Sequence, residues 1–136
     1  MKRCLTVVTV ILMISSLLTA AFADAAVPYA SHVFQDTGVS ISISGGKVEA
    51  SAHAVSVYTA SKLGVQSFKI QEKNGASWTT VKSVSGSYVY NKSSYVKDLE
   101  YNATSGKQYR AVATFSGTVN GVSDSIYVPG AIKTAP

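Results

Sequence analysis

The tightest constraint on this chain is its period of two. The run VSISIS (39–44) sets Val39, Ile41 and Ile43 on one side and three serines on the other, as a strand with one buried face requires. After Gly45-Gly46, the run KVEASAHAVSVYT places Val48, Ala50, Ala52 and Ala54 opposite Glu49, Ser51 and His53. Its apolar phase changes at Val55 and Val57, which predicts a bulge or the end of the strand. VQSFKIQEK turns Phe68 and Ile70 inward against Lys69 and Gln71, and Asn74-Gly75 supplies positive φ for a tight hairpin into SWTTVKSV. The stretch after Gly86 is rich in Tyr, Ser and Asn and predicts one short strand at 94–99. KQYRAVATFSG then aligns Tyr109, Ala111, Ala113 and Phe115, and Asn120-Gly121 turns it into VSDSIYV, whose Ile126 and Val128 continue the face. Pro129-Gly130 stops the pattern. No helical period follows residue 26. About seven short strands with evenly spaced turns predict an all-β fold, an antiparallel two-sheet sandwich rather than a barrel with a pore.

The first residues have a different character. Lys2 and Arg3 precede a mostly apolar run from Leu5 to Leu18, followed by the small-residue segment TAAFADA. That order is the pattern of a secretory signal peptide with an A-x-A cleavage site. Cleavage between Ala25 and Ala26 is expected, with Ala23/Asp24 as the alternative. The apolar run is shorter than the ~20 residues that span a bilayer, so no stable membrane insertion after cleavage is expected. The mature protein should be secreted and extracellular. The expected organisation is a signal peptide (1–25), an N-terminal extension (26–38), the β-sandwich (39–129) and a C-terminal tail (130–136). Cys4, the chain's one cysteine, falls in the removed part. The mature fold therefore rests on its core without disulfides, which a chain of about 110 residues can do by burying roughly two-thirds of its unfolded surface.

One corner carries a resemblance. In LEYNATSGKQYRAVATFSG (99–117), a Leu, then Gly106, then Tyr109 at the head of an alternating strand resemble the E–F corner of fibronectin type III and immunoglobulin-like modules. The resemblance implies that Tyr109 opens strand F and that its hydroxyl bonds back to the corner backbone. The whole chain is also similar to small uncharacterised secreted proteins of Gram-positive bacteria. They share the signal peptide, the hairpin pattern Gln71, Gly75, Trp78 and the late pattern Gly106, Tyr109, Arg110. That likeness implies a location and a fold, and no activity.

Most chemistries lack their residues. His32 and His53 stand far apart with no cysteine and no ligand spacing, so no metal site is expected. No G-x-S-x-G precedes a helix, no phosphate-cradling glycine loop exists, and Asp36, Glu49, Glu72, Asp98, Glu100 and Asp124 have no setting that would raise a carboxyl pKa. No catalytic residue and no cofactor is expected. Without Lys2, Arg3 and Asp24 the formal charge falls from +5 to +4. The lysines are scattered, which reads as a solvated face, with weak attraction to an anionic cell wall, membrane or glycan as the alternative. No nucleic-acid partner is expected, because the bases do not cluster. What remains is aromatic. Trp78, Tyr88, Tyr90 and Tyr95 are the candidate binding residues, either half-buried strand residues or a contact surface for a cell-surface glycan or protein. The expected function is that of a monomeric, non-catalytic, secreted binding sandwich. A secreted antagonist, antimicrobial or protease-inhibiting, is the alternative.

Overall fold

The computed structural model describes residues 31–136, and the signal-peptide expectations, including Ala25 and Ala26, lie outside them. The described chain is all strand and turn. β1 (Phe34–Ser44), β2 (Lys47–Ala60) and β5 (Lys92–Asn102) form one antiparallel sheet in the order β1-β2-β5. β3 (Lys62–Asn74), β4 (Ser77–Val89), β6 (Gln108–Val119) and β7 (Val122–Pro129) form the second in the order β4-β3-β6-β7, with β8 (Lys133–Thr134) also paired to β6. The two sheets face each other as a sandwich, as the alternation predicts.

The inward faces follow the predicted phase. Val48, Ala50, Ala52 and Ala54 of β2 are buried, as are Phe68 and Ile70 of β3 and Tyr109, Ala111, Ala113 and Phe115 of β6. β2 thus supplies mostly methyl groups, while Leu63, Phe68, Ile70 and Phe115 of the other sheet supply the volume. Truncating a side chain like Phe68 to Ala would cost about 3–5 kcal/mol through lost burial and a cavity. The break expected at Val55 and Val57 is real, although β2 does not end there. Its ladder with β5 is interrupted between Val55 and Ala60, while the inward phase continues through buried Ser56.

The turns explain themselves. Gly45-Gly46 and Asn120-Gly121 are two-residue loops with positive φ at both positions, the mirror-image turn that suits strand twist. The hairpin at Asn74-Gly75 departs from expectation by one residue. Asn74 pairs with Ser77, so the loop is Gly75-Ala76, and only Gly75 has positive φ.

The sandwich also runs past its expected bounds of 39 and 129. β1 begins at Phe34, and Val33 and Phe34 are buried. The Ser31 hydroxyl accepts from the amides of Val33 and Phe34 and donates to Asp124 at 2.9 Å. Past Pro129, β8 closes onto Gln108 and Tyr109, and Ala135 is buried. The stretch after Gly86 holds more strand than predicted, because β4 runs to Val89 and β5 spans Lys92–Asn102. Both are edge strands whose polar residues hide the alternation.

Candidate functional site

The four candidate aromatics go to three places. Tyr95 belongs to the core: it is 4% exposed, and its hydroxyl donates across the sandwich to Ser87 Oγ at 2.9 Å. Burial pushes that hydroxyl's pKa up, against the opposing effect of the Ser87 bond. As a contact residue Tyr95 is therefore corrected, since its inward phase on β5 leaves nothing for a ligand to touch. Tyr90 is exposed, at the β4–β5 turn. Trp78 and Tyr88 lie at opposite ends of β4, about 30 Å apart at the usual strand rise. They cannot make one compact platform.

They do share a face. Trp78 pairs with Lys73 and Tyr88 with Gly64, and directly opposed residues project to the same side of a sheet. Both belong to the outer face of the larger sheet. Trp78 is only half-buried, and the Arg110 guanidinium lies 4.4 Å from its ring centroid, with Lys73 Nζ at 6.0 Å. Arg110 Nε donates to Gln71 Oε1 at 2.8 Å, and Gln71 Nε2 donates to Thr80 Oγ1 at 3.3 Å. This chain of contacts crosses β6, β3 and β4 and holds the guanidinium beside the indole. A cation over an aromatic face contributes about 0.5–1 kcal/mol at an exposed site. At the far end Lys62 Nζ sits 4.1 Å from the Tyr88 centroid. Between the two ends, the same phase carries Lys69, paired to Val112, and exposed Tyr127, paired to Thr114.

The charges on this face are of one sign. The outward phases of β3 and β6 carry Lys62, Lys69, Lys73 and Arg110, and no carboxylate projects with them. Glu72 and Asp124 occupy the inward phase, opposite Tyr109 and Gly117. Three of the lysines read from sequence as a scattered, solvated set, Lys62, Lys69 and Lys73, therefore share this face along the central strand β3. Sequence reasoning missed Arg110, Lys69 and Tyr127 as members of this face. The signal that finds them is strand register, which places residues of β3, β4, β6 and β7 side by side.

The other sheet's outer face has the opposite character. The register aligns Ser40, Ser51 and Asp98 in one row and Ser42, Glu49 and Glu100 in the next. Two carboxylates stand directly opposite, which costs stability, and Lys47 Nζ approaches Glu100 at 3.8 Å. His53 Nε2 meets Asp36 Oδ2 at 3.1 Å, its ring lying over Gly38. Among the described residues no hydroxyl hydrogen-bonds to that histidine, and no group of three or more His, Cys, Asp or Glu is placed to hold a metal ion.

Behind the basic face stands the corner residue. The Tyr109 hydroxyl accepts from the Thr104 amide at 2.8 Å, as the resemblance implies for this position, and donates to Glu72 Oε2 at 2.7 Å. The Glu72 bond was not foreseen. Burial is the main reason that the Tyr109 pKa is raised.

No protein family matches this chain, and no curated protein matches it in sequence. Among solved structures it is similar to Spo0M, a sporulation control protein from Bacillus subtilis. The likeness has 10% identity and a TM-score of 0.38, covering 74% of this chain and 50% of that one. The chain thus spans half the length of that structure, and a likeness this distant carries no argument about function.

Proposed function

We propose that this is a secreted, non-catalytic sandwich of the fibronectin type III kind that binds an anionic cell-surface glycan across the outer face of its larger sheet. The observation that carries the reading is the sign of that face: Lys62, Lys69, Lys73 and Arg110 without a carboxylate, with Trp78 and Tyr88 at its ends. Rigid aromatics stack on sugar rings, and cations set into a flat face attract uronate or phosphate groups. Two observations support the fibronectin-like reading. The strand order β1-β2-β5 against β4-β3-β6-β7 puts the fourth strand beside the third, and Tyr109 bonds back to Thr104. Support for export comes from the charged, apolar and small-residue order of the first 25 residues. A glycan array with purified protein tests the binding. Retention on uronic-acid or phosphate-bearing glycans and loss of that retention in Lys69→Glu/Lys73→Glu are expected. Equal retention on neutral glycans would overturn the reading.

A second reading, contact with a protein, rests on the end of the sandwich where the β2–β3 and β4–β5 turns meet β6. Ser61 donates to Thr118 O and Asn91 to Ser61 O. Tyr58, Tyr90 and Val122 are exposed there at 68%, 62% and 49%. Tyr and Asn on short rigid loops make adaptable contact surfaces. Tyr58→Ser/Tyr90→Ser leaves glycan retention unchanged under the first reading and abolishes surface binding under the second.

A further inference from the structure

The two outer faces are complementary to each other. One presents Lys62, Lys69, Lys73 and Arg110; the other presents Asp36, Glu49, Asp98 and Glu100, with Lys47 as its one lysine. Both have an exposed apolar residue among the charges, Val96 at 64% on the acidic face and Tyr127 at 57% on the basic face. We propose that the acidic face of one molecule docks on the basic face of a second copy of this chain. The contact is heterologous, so each bound copy still offers one face of each sign. Association therefore runs into open chains rather than closing at a dimer.

Sandwich faces of opposite sign can lie against each other and bring carboxylates to cations. The attraction works against the repulsion between two chains that are each net positive, and exposed pairs are individually weak. Assembly is thus a low-salt, high-concentration event, and the monomer expected from sequence holds in dilute or salty solution. On a surface that concentrates the protein, the same contact would build a layer. The inference shares the basic face with the glycan reading and is independent of it, because only assembly uses Glu49 and Asp98.

Sedimentation velocity on charge-reversed variants tests this. Glu49→Lys/Asp98→Lys turns the acidic face net positive, and Lys69→Glu/Lys73→Glu cancels the charge of the basic face; urea melts check that both fold. At 20 mM salt the wild type should show a sedimentation coefficient that rises with concentration and returns to the monomer value at 0.5 M. Each variant alone should stay monomeric, and their equimolar mixture should form pairs through the one unaltered face of each. A wild type that stays monomeric at every concentration, or a mixture that does not assemble, would overturn the proposal. Retention of Glu49→Lys/Asp98→Lys on anionic glycans, measured on the same samples, reports separately on the glycan reading.

Discussion

The Tyr109 hydroxyl is held from two sides, by a backbone amide that it satisfies and a carboxylate that it serves. Tyr109→Phe leaves the Thr104 N–H without its acceptor and Glu72 without a donor. Since bonds to charged groups are the stronger ones, the expected loss in urea melts is about 1.5–3 kcal/mol. Tyr127→Phe, on the exposed face, should stay within about 0.5 kcal/mol of wild type. The tyrosine also sets a pH dependence. Its pKa is raised above 10.0 by burial, so the folded state holds the proton more tightly than the unfolded chain. That contribution is fully present below about pH 10 and is lost as pH climbs through the higher folded value. Tyr95 acts with the same sign. The urea midpoint of wild type should therefore fall above about pH 10, and that of Tyr109→Phe should fall less steeply. Trp78 belongs to the same scale. Lying half-buried under Arg110 on an outer face, it should lose about 1 kcal/mol on change to Ala, well short of the ~3–5 kcal/mol of a core aromatic. A core-sized loss in a thermal melt would mean that the indole is packed inward. The corner was legible because Gly106 and Tyr109 are near neighbours in sequence. Glu72 was not, since β3 meets β6 only through the fold.

Elements were legible wherever one face is strictly apolar. β2, β3 and β6 sit at the centres of their sheets, and their alternation marks them. The edge strands β4 and β5 were seen only in part, because an edge strand need not bury a full face and tolerates Ser, Lys and Asn. Gly64 ties the center to that edge. A Cβ there would meet the carbonyl oxygen of Ser87 at 2.0 Å and Tyr88 Cα at 2.8 Å. Its need is close approach of the strands, not an unusual φ. Gly64→Ala must push β4 away from β3, and overpacking of this kind costs about 1–3 kcal/mol, occasionally more. Hydrogen exchange should show lost protection concentrated at 85–89 of β4. Unchanged protection there would contradict the register of the two strands.

At the scale of the molecule, the fold sorts charge that the sequence disperses. The lysines of β3 are interleaved with apolar, polar and acidic residues, Glu72 among them, and Arg110 lies far along the chain from Gln71, which it bonds. No window of sequence holds them together. The sandwich does, by giving each sheet one outward phase and aligning those phases in register. Such a face acts at a distance of about one Debye length, roughly 10 Å at 0.1 M salt, so its binding must depend on ionic strength. Trp78, the chain's one tryptophan, reports from within it. The most direct measurement is therefore a titration of Trp78 fluorescence with polygalacturonate at 50 and 200 mM salt, with neutral dextran as control. A saturable change that weakens at least about tenfold over that range, vanishes in Lys69→Glu/Lys73→Glu and persists in Glu49→Lys/Asp98→Lys is the predicted result. Polygalacturonate binding of equal affinity in the Lys69→Glu/Lys73→Glu variant, or an equal response to dextran, would contradict it.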